Sequence, residues 1–147
     1  MDLRNRLKVY EGTKAYQQSR NIFRSGKFYP YKDSLGFLTI GYGHLIKKGE
    51  VFTSGITEEE ADKLLDADIA IARKSLSTLN LGQLPTDIED YLIIMIFQLG
   101  VAGTSKFKKL LAAAKNHDRD GMKRESMDSL WYRQTKNRVD DMNSQLQ

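Results

Sequence analysis

No cysteine occurs in the 147 residues, which excludes disulfides and thiolate metal sites and leaves no trace of a redox compartment. Histidine is scarce too: His44 and His117 are too few for a histidine-built metal centre. No apolar run approaches the roughly 20 residues that a bilayer-spanning helix needs. The longest, Tyr91–Phe97, makes about two turns of a buried helix. The opening Met-Asp-Leu-Arg-Asn-Arg lacks the apolar core of a secretory signal, so action outside the cytoplasm would call for another route of delivery. Repeats, low-complexity tracts and inter-domain linkers are missing as well. A single domain with a sizeable core is therefore expected.

What is present is ordinary for a globular chain: 40% hydrophobic and 29% charged residues, with a net charge of +4. That excess suits anionic partners such as the acidic polymers of peptidoglycan, nucleic acid or anionic membranes, and it does not choose among them. Lys and Arg do not cluster on one helix and no nucleic-acid motif occurs, so a small basic nucleic-acid binder is the weaker reading. Steep salt-dependent affinity for DNA would be its mark.

Asp2 is placed to cap a first helix whose apolar positions Leu3, Leu7 and Tyr10 follow helical spacing, with Gly12 as its stop. Glu11 then falls in the last turn, at the negative end of the helix dipole, where a carboxylate gains no help from the backbone. Residues 13–30 are polar and basic. Aromatic Phe28, Tyr29 and Tyr31 read as strand, Asp33-Ser34-Leu35-Gly36 as a turn, and Phe37-Leu38-Thr39-Ile40 as the return strand of a hairpin. Gly41-Tyr42-Gly43-His44 follows, with two glycines that permit sharp turning or close backbone approach.

Thr57 and Glu60 form a capping box that opens a long helix with Ala61, Leu64, Leu65, Ala72 and Leu76 on one face. Asn80–Pro85 breaks the chain, and Thr86 with Glu89 reads as a second box. The next helix is apolar all round over Tyr91–Phe97 and ends at Gly100, which places it at the centre of a helical region. Two amphipathic segments follow, one with Phe107, Leu110, Leu111 and Ala114 and one over about 120–130. Thr135 reads as the cap of a last helix with Val139 and Met142. Many helices and one small early sheet make the class α+β with two lobes.

Several blocks are more specific. Asp33, five intervening residues and Thr39-Ile40-Gly41-Tyr42-Gly43-His44-Leu45 resemble the signature of the T-even phage lysozyme family, glycoside hydrolase family 24. Glu11-Gly12 after a short helix is similar to that family's amino-terminal Glu. Phe97-Gln98-Leu99-Gly100 resembles its central helix, and Trp131-Tyr132-Arg133-Gln134-Thr135-Lys136-Asn137-Arg138 its Trp-Tyr-x-Gln-Thr-x-x-Arg segment. The blocks keep the family's order across nearly the whole chain.

The resemblance implies a two-lobed fold. Its small lobe covers about 13–56, its linking helix about 57–77, and its helical lobe 1–12 plus about 78–147. It implies a monomeric, bacteriolytic peptidoglycan hydrolase that cleaves between N-acetylmuramic acid and N-acetylglucosamine with inversion, without cofactor or metal, stable membrane association or nucleic-acid partner. By residue, it implies Glu11 as general acid, Asp33 as the base holding water and Thr39 as the residue positioning that water. Leu45 and Phe97 would touch substrate. Arg138, His44, Asp68 and Gln98 would support the site, with Arg138 pairing with Glu11 and Asp68 pairing structurally with His44.

Taken singly, each residue has an ordinary reading: a solvated acid, a strand threonine chosen for β-propensity, a surface arginine, a core aromatic or a glutamine that satisfies a buried backbone group. The chain also departs from the family. Residues 13–30 are about a dozen longer than usual, the small lobe's extra helix after Leu45 is expected to be absent, and Ile94, Leu110 and Glu125 replace residues of other polarity or size in the best-known member. A catalytically silent murein-binding module is the alternative function. The expected setting is a host cytoplasm with holin-type release as an endolysin, or a virion; the Trp131 block looks closest to tail-associated relatives.

Overall fold

The computed structural model describes residues 1–147. The chain forms two compact units, Met1–Ala70 and Ile71–Gln147. In this division residues 1–12 fall with the first unit, which differs from the expected grouping of that helix with the helical lobe. The class is α+β: eight helices and two three-stranded antiparallel sheets.

In the first unit α1 (Leu3–Glu11) is capped as expected, the Asp2 carboxylate accepting from Asn5 N–H at 2.9 Å. α3 (Glu58–Ser77) begins here, and its capping box is reciprocal. Thr57 N–H donates to Glu60 Oε1 at 3.0 Å and Glu60 N–H donates to Thr57 Oγ1 at 3.2 Å. Arg4 pairs with Asp66 at 2.6 Å and Lys8 with Asp62 at 2.8 Å. One number rises as the other falls, so α1 and the start of α3 run antiparallel.

The stretch 13–30 holds structure that its polar composition did not announce. Thr13 caps the short α2 (Lys14–Ser19). β1 (Phe23–Arg24) and β2 (Lys27–Phe28) then form a hairpin on Ser25 and Gly26, both at positive φ. β6 (Ile56–Thr57) adds to β2 and completes a sheet, so two sheets exist where one was expected. Phe23 and Phe28 meet across the hairpin with ring centroids 4.6 Å apart and planes tilted by 57°. Pro30, which has no N–H to donate, separates Phe28 in this sheet from Tyr31 in the next.

The second sheet is β3 (Tyr31–Lys32), β4 (Leu38–Ile40) and β5 (His44–Leu45), with Tyr31 opposite Thr39 and Thr39 opposite Leu45. No helix forms between Leu45 and Ile56. Leu7, Phe28, Ile40, Tyr42, Ile56, Ala61 and Leu65 are the buried apolar side chains of this unit. Each contributes roughly 1.5–3 kcal/mol where a large side chain leaves water completely.

The second unit is helical: α4 (Thr86–Ser105), α5 (Lys108–Lys115), α6 (Arg119–Met127), α7 (Leu130–Gln134) and α8 (Lys136–Ser144). α4 carries the buried run Tyr91–Ile96 and bends at Gly100, which has φ 74°. This 20-residue apolar helix is buried over Ile88 and Tyr91–Ile96, as the core helix of a helical unit is. Two expected caps are not made. Pro85, with no side-chain acceptor, takes the cap position of α4, and Glu89 turns to Arg73 instead of closing a box. Thr135 makes no capping bond to α8: its hydroxyl faces the other way, donating to the Trp131 carbonyl at 2.9 Å and accepting from Gln98 Nε2–H at 3.4 Å. α7, with Ser129 as its cap, was not anticipated.

Candidate active site

α1 stops at Gly12, whose φ of 112° suits glycine, and this leaves Glu11 as the last helical residue. The Glu11 side chain lies on the turn between β4 and β5. An atom at the Cβ position of Gly43 would stand 2.8 Å from Glu11 Oε2 and 3.0 Å from Glu11 Cδ and Cγ. Only glycine leaves room for the carboxyl there, and Gly43 itself holds φ 82°. Gly41, Tyr42 and Gly43 thus turn the chain and also seat Glu11.

Asp33 heads the turn from β3 to β4. Its Oδ1 accepts from Leu35 N–H and Phe37 N–H, both at 2.9 Å, while its backbone N–H donates to the Phe37 carbonyl at 2.9 Å. This Asx-type arrangement orients the side chain through one oxygen and leaves Oδ2 for another partner. Asp33 and Glu11 are both half-buried.

Thr39 is central in the three-stranded sheet, 2% exposed, with its hydroxyl donating to the Phe37 carbonyl at 3.0 Å. Cross-strand partners project from the same face, so Tyr31, Thr39 and Leu45 form one row. Leu45 at its end is 53% exposed, a large apolar side chain in water. Tyr31 was not singled out from the sequence. Its phenol is pushed up to about 12, first by burial, then by the charges of Glu11 and Asp33, with a smaller effect of Tyr16. One strand residue therefore lies within electrostatic reach of both acids and pairs with Thr39. No local pattern reports that, because it depends on which strands pair.

His44 and Asp68 meet as expected. His44 Nδ1 lies 2.9 Å from Asp68 Oδ2, and Nε2 lies 3.1 and 3.2 Å from the Glu50 carboxylate oxygens. Glu50, a partner the sequence reading missed, also accepts from Lys47 N–H at 2.7 Å. That bond is the main reason its carboxyl is held below the usual range; burial opposes it and His44 adds to it. No group of three or more His, Cys, Asp or Glu side chains is arranged to hold a metal ion.

The remaining expected residues belong to the second unit. Phe97 is half-buried on α4, and Arg138 is half-buried on α8. Gln98 bonds to side chains, not to a buried backbone group: its Oε1 accepts from Trp131 Nε1–H at 2.9 Å and its Nε2–H donates to Thr135 Oγ1 at 3.4 Å. Trp131 is core, 4% exposed and edge-on to Tyr91 and Phe107.

In chemical terms the first unit holds two carboxyl groups within electrostatic reach of one phenol, whose strand partner is the buried Thr39. A pair of carboxyl groups held in different surroundings is what acid and base work on one bond requires.

Comparison with known proteins bears on this arrangement. The family model described as phage lysozyme matches residues 22–144, a span that takes in Asp33 and Thr39 and begins after Glu11. The pre-baseplate central spike protein Gp5 of Enterobacteria phage T4 is 33% identical, with 74% of this chain aligned to 23% of that protein. This chain therefore spans about a quarter of the spike protein. Probable T4-type lysozymes 1 and 2 of Dictyostelium discoideum are 28% and 31% identical, with 74% of this chain aligned to 79% of each.

Proposed function

Because the chain belongs to the phage lysozyme family, a family of lysozyme-like peptidoglycan hydrolases, we propose that it cleaves the β-1,4 bond between N-acetylmuramic acid and N-acetylglucosamine with inversion. Glu11 delivers its proton to the glycosidic oxygen as the bond from the anomeric carbon breaks. Asp33 takes a proton from the water that adds to the opposite face of that carbon, and Thr39 orients the water. Leu45 supplies an exposed apolar edge for the sugar. Phe97 keeps the substrate-contact role, and Arg138, Gln98, His44 and Asp68 the supporting roles, that family membership suggests.

The observation that carries this reading is the position of Tyr31: both acids act on its phenol, and its strand partner is Thr39. That two carboxyl groups influence one side chain, itself paired across the sheet with Thr39, supports assigning Glu11, Asp33 and Thr39 to one site. The whole chain acts as a single catalytic domain, as a monomer, without cofactor, on the cell wall. Similarity to a phage spike protein supports a virion-associated setting, and holin-type release from a host is the alternative setting.

The test is digestion of purified peptidoglycan, with mass spectrometry of the released sugars and NMR of the anomer formed first. The proposal expects fragments with a new N-acetylmuramic acid reducing end, appearing first as the α anomer. A first-formed β anomer would replace inversion by retention. Binding to murein without any new reducing ends would make the chain a silent wall-binding module.

A further inference from the structure

Gln17, on α2, is 1% exposed, and its amide is turned wholly to backbone. Nε2–H donates to the Gly12 carbonyl at 2.8 Å and to the Gly41 carbonyl at 2.9 Å. Both neighbours are acceptors only, so the amide orientation follows from its partners. Oε1 is buried without a protein hydrogen bond. A buried oxygen left this way costs stability that a leucine or methionine of similar size would not incur. What offsets that cost is the pair of bonds made by the nitrogen.

Those bonds join two particular places. Gly12 directly follows Glu11 and ends its helix, while Gly41 opens the three-residue turn whose Gly43 lies against the Glu11 carboxyl. Glu11, Gly12, Gln17, Gly41, Tyr42 and Gly43 therefore close a ring of covalent, hydrogen-bonded and packing contacts. Without the Gln17 bonds, the helix end and the turn are two separate backbone segments, each ending in glycines that resist motion little. Neither carbonyl would then have that buried donor.

We propose that Gln17 is a positioning residue that locks the helix end bearing Glu11 to the glycine turn on which its carboxyl rests. The inference deepens the proposed function and rests on the reading of Glu11 as general acid. It assigns a task to the first part of the 13–30 stretch, which precedes the span matched by the family model. Gln17 touches neither sugar nor water in this role; it acts through Glu11.

The test compares wild type with Gln17→Met, which keeps the side-chain length and removes both donors. Gln18→Met, a change at the exposed neighbour, is the control. Three readouts are taken: kcat and KM on soluble glycan oligomers, the pH profile of kcat, and the titration of the Glu11 carboxyl by NMR. Gln17→Met is expected to lose about 10–100-fold in kcat per folded molecule, since displacement near 1 Å costs on that order. KM should stay within about threefold, and the pH-profile limb and the Glu11 titration midpoint should move together. Gln18→Met is expected to match wild type in all three.

Should Gln17→Met not fold, Gln17→Glu serves, because the introduced acid has one donor when protonated and none when ionised. Its kcat deficit is then expected to deepen as pH rises. A folded Gln17→Met with wild-type kcat and an unmoved Glu11 titration would overturn the inference, as would a Gln17→Glu deficit that is flat with pH. Failure of the wild type to cleave would instead overturn the proposed function, and the Glu11 titration would still decide whether Gln17 holds that carboxyl in place.

Discussion

Replacing Gly43 with alanine puts a carbon 2.8 Å from Glu11 Oε2, where ordinary contact begins at 3.4 Å. The carboxyl has to retreat by about 0.6 Å, the difference of those two distances, or the turn has to open. Misplacement approaching 1 Å at a reacting group costs about a hundredfold in rate, so a loss of about 10–100-fold in kcat is expected. A second cost is conformational. Gly43 holds φ 82°, where an L side chain loses roughly 1–2 kcal/mol. For a chain of this length the unfolding entropy is about 0.3 kcal/mol per degree, so Tm should fall by about 3–6 °C.

Gly82→Ala separates the two effects. Gly82 has φ 76° and open space where its Cβ would be. It should lose a similar number of degrees and keep wild-type kcat. Both variants are assayed by release of reducing ends well below their own Tm. Full activity in Gly43→Ala, or equal activity losses in the two, would refute the claim that the turn seats the carboxyl.

Three other expectations follow from the same contacts. The Tyr31 phenol sits at about 12, so the stability it lends is complete below pH 10, its unfolded value, and is lost as pH rises from about 10 through 12. In an ultraviolet tyrosinate titration, Glu11→Gln should move part of that late phase to lower pH, and Tyr31→Phe should shrink it to the share of Tyr42, whose phenol burial also pushes up to about 12. Asp87 is held at about 2, chiefly by its two hydrogen bonds from Arg119 at 2.7 and 2.9 Å, with burial opposing and Gln147 N–H assisting. Its contribution is present above about pH 4 and lost as pH falls through 2, so Arg119→Gln should lower Tm at pH 7 and the gap should close in strong acid. Gln98→Leu strands the buried Trp131 indole N–H, which should cost about 1–3 kcal/mol in denaturant unfolding followed by tryptophan fluorescence.

The parts of the fold that were legible in the sequence are those where one local signal faced no competitor. Asp2, Thr57 with Glu60, and the Asp33–Gly36 turn each keep their side-chain acceptors for the local backbone N–H groups, and all formed. Thr86 with Glu89 carries the same letters as the first box and fails, because Pro85 displaces the cap and Arg73 takes the acid. The Thr135 hydroxyl is likewise engaged elsewhere, by the Trp131 carbonyl and the Gln98 amide. The 13–30 stretch stayed dark because a six-residue helix and two-residue strands are too short to show a period. Phe28 reads as strand, while the Ser25-Gly26 turn between Phe-Arg and Lys-Phe, a hairpin signal, was passed over.

The candidate site divides along similar lines. Glu11, Asp33 and Thr39, at a helix end, a turn head and a central strand, each have an ordinary reading alone and are singled out by their joint resemblance to a family's motif. Tyr31, Gln17 and Glu50 matter only through partners distant in sequence or brought near by a loop: Thr39 across a strand pair, the Gly41 carbonyl, and the second nitrogen of His44. Side chains whose role is defined by a tertiary contact leave no periodic trace.

The central claim is that two acids of the first unit divide the chemistry, one giving a proton and one taking it. Its most direct test is the rate of reducing-end release from purified peptidoglycan by wild type, Glu11→Gln and Asp33→Asn, each shown to be folded by circular dichroism. The account predicts that wild type releases reducing ends and that each variant is slower by about 10²–10⁴-fold. Release at the wild-type rate by either variant would contradict it.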